Sequence, residues 1–502
     1  MSSSKVNNDL QEERDRVSFK VKELTNWFYS GAKNVAEKNV IENILLNDTE
    51  MLNGVDTSYL SYKEKYEEAI RRHTLLLTKI KQLELKGRDN RDNFTTVYTN
   101  HHLSILRDGS PSGVHFVMFV PALKSFGTPE QQAEWLPKAE KLQILGTYAQ
   151  TELGHGTFIR GLETTAIYDQ RNRQFVINSP TITAYKWWPG GLGHTVNHAI
   201  ILAQLYTKSK CHGLHPFIVQ LRDTETHMPM KGITIGDIGN KVGANTVNNG
   251  FLGFHHVRVP LNQMLMANAK VLPSGDYIKG KSSLLTYGTM TLTRVGIVQY
   301  FNLFLKRKDE QNIFDDSYLG VLRAIQFTAA GNTALAFQHI EERKKFCSPE
   351  EAANQTGIEL VKAAELHCQV FILESLMREF QGNVNEVSSS LNSVFHQLLE
   401  LHVVDLALKK IGSLLQFVDI TATNIEKLQS RLETTLKSLR PNAIGIVDAF
   451  DIPDKTLGST LGAYDGNVYE RLLAAAKASP LNQEEVNKSF ELYLKPFMKS
   501  SL

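Results

Sequence analysis

Apolar positions change their period twice along this chain. Between residues 10 and 85 they recur at helical spacing. Tyr66, Ala69, Ile70, Leu76, Leu77, Ile80 and Leu83 stand three, four or seven apart, the mark of a helix with one buried stripe. A polar break follows at GRDNRDNF. Residues 113–146 carry further helical turns, interrupted at Pro121 and at Thr128-Pro129, where threonine can cap and proline can take the first helical position. From residue 147 the texture becomes that of strands. ETTAIYDQRNRQFVINS reads as two strands around a polar turn, and NHAIILAQLY, HPFIVQLRD and FLGFHHVRVP are short runs rich in β-branched and aromatic residues. His255 and His256 are read inside the last of these, where alternation sends their rings to opposite faces so that they cannot share an ion. Helical periodicity returns at 276–300 and continues through 317–346, 355–381, 387–417 and 423–439. Thr423 and Glu426 have the spacing of a capping box, followed by the stripe Ile425, Leu428, Leu432, Leu436 and Leu439. A final helix is expected over about 481–494.

This order defines an α+β multidomain protein with an N-terminal helical domain, a central antiparallel β domain and a C-terminal helical domain. The expected division is 1–146, 147–275, a short helical remnant and junction at 276–314, and 315–502. A chain of 502 residues exceeds what one core usually organises, which fits several domains.

Composition narrows the partners. Hydrophobic residues make up 42%, charged residues 22%, and the net charge is +2. No domain-sized basic face stands out, so nucleic acid is not expected as a partner. No run of eighteen apolar residues suggests a membrane span. The polar N-terminus, MSSSKVNNDLQEERDR, reads as neither a signal nor a transit peptide. Cys211, Cys347 and Cys368 lack metal-ligand spacing, so a reducing compartment and no structural metal are expected.

Candidate chemistry gathers in two glycine-bearing stretches. TYAQTELGHGT, Thr147 to Thr157, looks like a strand that ends in hydroxyls and bare backbone. KWWPGGLG, Lys186 to Gly193, sets two aromatic rings before a stiff turn. Gly154, Gly156, Gly190 and Gly191 offer backbone without Cβ, which would let a large planar ligand approach closely. The same features also suit plain turns between strands with tryptophans in the core. The chain carries no dinucleotide fingerprint and no phosphate loop of the common kinds.

Taken together, TYAQTELGHGT, KWWPGGLGHTVNHAI, KVGANTVNNGFLGFHHVRVP, LLTYGTMTLTRVGIV and AIGIVDAFDIPDKTLGSTLGAYDGNVYE resemble the peroxisomal acyl-CoA oxidases, within the wider group of flavin acyl-CoA oxidases and dehydrogenases. The likeness covers residues 1–299 and about 315–502. It implies non-covalent FAD, with Tyr148, Ala149, Gln150, Thr151, Gly156, Thr157 and Gly190 contacting the cofactor. It implies an acyl-CoA site lined by Leu284, Leu285, Thr286, Tyr287 and Arg294. A guanidinium such as that of Arg294 suits a phosphate or an adenine edge of coenzyme A, and an ion pair on a helix surface would use it equally well. The implied reaction converts fatty acyl-CoA to trans-2-enoyl-CoA while O2 becomes H2O2. The implied assembly is a homodimer, or a heterodimer with a related oxidase. The terminal Ser500-Ser501-Leu502 resembles a peroxisomal import tripeptide, so an import receptor is a further implied partner.

The sequence departs from that family at one place. After TRVGIV, Thr293 to Val298, the family continues into a helical domain that carries the rest of the flavin site and a catalytic glutamate. Here the chain runs through the charged stretch KRKDEQN and from about Asp316 resembles the C-terminal domain. A whole helical block is therefore expected to be missing, and no residue is assigned as the proton acceptor. REFQGN, Arg378 to Asn383, is a poor substitute because its neighbours belong to the C-terminal domain. The alternatives to an active oxidase are a catalytically impaired isoform that partners a complete oxidase, and an incomplete gene product.

Overall fold

The computed structural model describes residues 5–52, 57–85, 105–106, 108–280, 314–382 and 387–500. They fall into two compact units, one of Val40–Tyr287 with Ala478–Leu502, the other of Met1–Asn39 with Gly288–Lys477.

The first unit is built on strand β5, His198–Thr207. Strand β6, Lys210–Gln220, pairs antiparallel along one edge of it. The other edge is shared. Strand β1, Gly146–Ala149, lies parallel against His198 to Ile201, and β2, Thr165–Asp169, lies parallel against Gln204 to Tyr206. Residues between β1 and β2 therefore leave the sheet opposite Leu202 and Ala203, and the chain rejoins the same edge two residues further along. Strand β3, Gln174–Asn178, and β9, Val257–Pro260, complete this sheet in antiparallel pairing. A second sheet has β4, Lys186–Trp187, and β7, Ile233–Asp237, on either side of β8, Gly250–Phe254. The β domain stands as expected, with the refinement that β5 takes two parallel neighbours. Such pairing joins strands distant in sequence, which local alternation does not reveal.

The two faces of β5 explain its unbroken apolar run. Ala199, Ile201, Ala203 and Leu205 join Phe175, Phe217, Leu252 and Phe254 in one core. Ile200, with Ile218 of β6, packs on the opposite face against Phe119, Leu123 and Trp135. A strand covered on both faces has no polar side to alternate with.

The segment that covers the second face begins with a π-helical turn, His115–Phe119, which runs directly into the helix Val120–Phe126. Pro121 does not break it, because it stands in the first turn, where a missing N–H is tolerated. Helix Pro129–Glu140 starts from Thr128 in a complete capping box with Gln131. Gly146 is a glycine for steric reasons: a Cβ there would sit 2.4 Å from the Phe119 ring.

Three local expectations are corrected in detail. His255 and His256 form the turn between β8 and β9, with His256 at φ +54°, because the strand ends at Phe254. Tyr277–Ile278 is a strand paired with Lys270–Val271, not the start of a helix. Residues 481–494 are not one helix: a short 3-10 turn at Pro480–Asn482 and a π-helical turn at Phe490–Leu494 are separated by irregular chain.

The second unit is helical. Helices Tyr318–Arg343, Gly357–Gly382, Ser389–Lys409 and Ala422–Leu439 bury Val321, Ile325, Leu366, Val370, Val403 and Leu428 in one core. A second core joins Phe19 and Leu24 to Phe380, Leu391 and Phe395, with the Phe380 and Phe395 rings stacked at 4.3 Å. The capping box of Ala422–Leu439 is formed by Thr421 and Asn424, two residues before the pair expected from sequence. Asn424 can return the hydrogen bond that glutamate usually gives, so the helix starts at the earlier hydroxyl. Leu428 and Leu439 of the expected stripe are buried, whereas Leu436 is exposed.

Candidate functional site

The two glycine-bearing stretches meet. The Thr147 hydroxyl donates to the Gly190 carbonyl at 2.8 Å in a buried contact. Trp187 N–H donates to Thr151 O at 3.0 Å, and Leu153 N–H to Tyr185 O at 2.8 Å. Thr151, Tyr148, Gln150 and Gly190 are thus held beside one another at the end of β1. Ala149 is fully buried and offers only its backbone. The Tyr148 hydroxyl reaches Gln150 Oε1 at 3.4 Å, and burial pushes its pKa up to about 12.

The excursion after Thr151 is tied at its base. Glu152 N–H donates to His155 O at 3.2 Å, and His155 N–H returns a bond to Glu152 O at 3.0 Å. His155 also meets the Glu163 carboxylate at 3.2 Å. The hydroxyls of Thr181 and Thr183, and then His155, hold the Glu163 carboxyl below its usual range. Gly156 and Thr157 stand exposed at the tip.

The glycines divide by what surrounds them. A Cβ at Gly154 would meet Thr183 at 2.7 Å, and one at Gly190 would meet Val114 and Val247 at 2.8 and 2.9 Å. At Gly191, φ is +73° and Pro111 O lies 2.7 Å from a Cβ position. At these three positions a side chain would collide with the protein itself, so packing already requires glycine there. Gly156 faces open space.

Trp188 is not a core residue: it is 55% exposed. Its φ is +88°, in the left-handed region that costs a bulky residue about 1–3 kcal/mol. Its N–H donates to Gly250 O at 3.0 Å, and its carbonyl accepts from Asn249 Nδ2 at 2.5 Å, so β8 holds the conformation in place. Backbone strain of this kind concentrates at ligand sites.

The turn beyond Gly191 is braced from the long N-terminal helix, Tyr62–Leu85. Tyr62 Oη donates to the Asp237 carboxylate at 2.7 Å, and Tyr66 Oη lies 3.1 Å from Thr195 Oγ1. Asn248 accepts from His194 N–H at 2.5 Å and donates to Asp237 at 2.9 Å.

Sequence reasoning passed over Glu152 and Lys186, which lie inside the two quoted stretches. Both side chains are fully buried, and Lys186 Nζ stands 2.9 Å from Glu152 Oε1. Burial pulls the Lys186 pKa down to about 8 against the pull of Glu152. A single acid in one glycine-bearing stretch and a single lysine in the other were the available clue.

A flavin fits this arrangement in chemical terms. The hydroxyls of Thr151 and Thr157 make no hydrogen bond among the described residues, Gly156 borders open space, and the Trp188 ring is exposed. Leu284, Leu285, Thr286, Tyr287 and Arg294, and the junction after Thr293, lie outside the described residues. A cleft of about 640 Å³ lined by Val17, Phe19, Glu23 and Ser388 belongs to the helical unit and holds none of the candidate residues. No helix among the described residues is long and apolar enough to cross a membrane.

Comparison with known proteins agrees with this architecture. Residues 20–145 match the acyl-coenzyme A oxidase N-terminal family, and residues 318–499 match the acyl-CoA oxidase family. Acyl-coenzyme A oxidase 1 of Drosophila melanogaster is 36% identical across 100% of both chains. Peroxisomal acyl-coenzyme A oxidase 1 of Homo sapiens is 30% identical, covering 97% of this chain and 99% of its own. The chain belongs to the acyl-CoA oxidase family. Among solved structures it resembles acyl-CoA oxidase-1 of Caenorhabditis elegans, with a TM-score of 0.86, 27% identity and coverage of 100% and 99%. Acyl-CoA oxidase-2 of the same organism, bound with FAD, ascaroside-CoA and ATP, gives 0.86 at 26% identity with the same coverage. The alignment with the Drosophila protein runs over 669 positions against 502 residues here, so at least 167 positions have no counterpart in this chain.

Proposed function

We propose that this protein is an FAD-dependent acyl-CoA oxidase of peroxisomal fatty-acid β-oxidation. It would convert a fatty acyl-CoA and O2 to trans-2-enoyl-CoA and H2O2. The observation that carries the reading is the joining of the two glycine-bearing stretches, within a chain of this family, beside the Thr151 and Thr157 hydroxyls, which make no hydrogen bond among the described residues. Tyr148, Gln150, Thr151 and Thr157 would offer side chains to FAD, and Ala149, Gly156 and Gly190 their backbone. When bound, FAD supplies the hydride acceptor. Leu284, Leu285, Thr286, Tyr287 and Arg294 would line the acyl-CoA site. The Ser500-Ser501-Leu502 end supports a peroxisomal address, as do the relatives named peroxisomal. A homodimer, or a heterodimer with a related oxidase, completes the reading.

The deficit of at least 167 aligned positions favours a second reading, in which the chain partners a complete oxidase without turnover of its own. A missing general base alone removes about 10²–10⁴-fold in rate. Visible absorption of the purified protein separates the two. Flavin bands that bleach on anaerobic addition of long-chain acyl-CoA support the oxidase. Flavin bands that persist support the partner subunit. A folded protein that binds no added FAD rejects both.

A further inference from the structure

Strand β5 has a gap along one edge. β1 pairs as far as Ile201 and β2 begins at Gln204, so no strand serves the Leu202 carbonyl on that side. The gap exists because the chain leaves the sheet there to form the excursion from Gln150 to Thr164. A buried carbonyl without a donor is costly. Lys186 fills the position: its Nζ donates to Leu202 O at 2.7 Å, to Gln150 O at 3.3 Å and to Glu152 Oε1 at 2.9 Å. The Glu152 carboxylate also accepts from Glu163 N–H at 2.7 Å, from Thr164 N–H at 3.0 Å and from Thr164 Oγ1 at 2.6 Å. Both charges are thus fully coordinated, and the contact closes the two ends of the excursion onto one point.

We propose that Lys186 and Glu152 form a register lock for the flavin-contacting excursion, positioning Thr151, Gly156 and Thr157 toward the cofactor. The inference rests on the FAD reading above. A buried ion pair adds little net stability over an apolar pair, and its best-attested use is to fix register. Glu152 adjoins Thr151. A slip of one residue would put the carboxylate where the free hydroxyl belongs and turn Thr151 inward. The lock forbids that slip, because an unpaired ammonium would then be left beside Leu202 O.

The test is a titration of the flavin-free full chain with FAD, read by flavin fluorescence and by the visible circular dichroism of the bound ring, with thermal melts alongside. Glu152→Gln leaves the ammonium unpaired and should weaken FAD binding at least about thirtyfold. Lys186→Met leaves Glu152 with three donors, so its loss should be smaller, about three- to tenfold. The double variant should recover part of the loss in Glu152→Gln, and all three should alter the dichroism of bound FAD. If the melts fall while FAD affinity and dichroism stay at wild-type values, the pair is merely structural and the proposal is overturned. Should Glu152→Gln fail to fold, Lys186→Met decides: wild-type affinity in that variant overturns the lock. Failure of the unmodified chain to bind FAD rejects the functional reading itself and takes the lock with it, an outcome distinct from any difference between variants.

Discussion

Strand β5 and helix Gly357–Gly382 are both apolar along much of their length, and their surroundings differ. Every residue of β5 from His198 to Ala203 is buried, with one layer of side chains on each face. The helix buries Leu366, Val370 and Leu373 yet leaves Ile358 88% exposed, Val361 69% and Phe371 57%. The β unit closes its own core. The helical unit shows an apolar surface of the kind a packed neighbour usually covers, and that fits a chain lacking at least 167 of the positions aligned with its Drosophila relative. The β core is closed on itself, while the C-terminal helices carry an exposed apolar side.

The sharpest way to break this contrast is to open the β core. Phe217 is fully buried and meets Phe175 edge-on at 5.0 Å. Phe217→Ala should lower stability by about 3–5 kcal/mol, seen as faster hydrogen exchange throughout β5 and β6.

Acid should weaken the same region next. His115 is buried, with Nδ1 accepting from Gly146 N–H at 3.0 Å and Nε2 donating to Ala139 O at 3.1 Å. Burial pushes its pKa down from 6.5 to about 4, and that of His198 likewise to about 4. In the unfolded chain these rings take a proton near pH 6.5, while the folded ones stay neutral to about pH 4. Stability is thus intact above 6.5 and falls as pH falls towards 4, by up to about 3 kcal/mol for His115. Urea unfolding at pH 7.5 and 4.5 should show this drop, and His115→Gln should make it smaller.

A smaller effect tests the helical unit. Thr421→Ala removes the capping hydroxyl of Ala422–Leu439 and should cost about 1 kcal/mol, with fraying confined to that helix in hydrogen exchange. The smallest test addresses the exposed face. Ile358→Ser should change stability by less than about 0.5 kcal/mol, yet reduce binding of a hydrophobic fluorescent dye. A large loss of stability would show that this face is covered in solution.

What could be read from sequence followed the range of the forces involved. Helices such as Tyr318–Arg343 and strands such as β3 announce themselves through neighbours a few residues apart, and their positions were legible. The cap at Thr421 was displaced because Thr423 with Glu426 satisfies the same spacing rule, and local pattern does not rank the two. The parallel docking of β1 and β2 depends on β5, 52 and 39 residues away in the paired register, and left no periodic trace. Within the candidate site the family likeness located both stretches. The buried partners Glu152 and Lys186 were invisible to reasoning that places charges at the surface. The close packing at Gly154 and Gly190 also escaped it, since a glycine that spares a neighbouring side chain looks the same in sequence as one that admits a ligand.

The packing of Phe119 over Gly146 has a consequence for how this protein can diverge. With the ring 2.4 Å from where a Cβ would be, any other residue at position 146 forces the Phe119 ring or its own backbone to move. Shrinking 119 first would open a void against Ile200 and Ile218, which pack in the same cluster. Neither single step is open without a loss, so the two positions can change only as a pair. Descendants of this chain should therefore keep both or replace both, and a chimera that inherits one from each of two diverged parents should fold poorly where neither parent does.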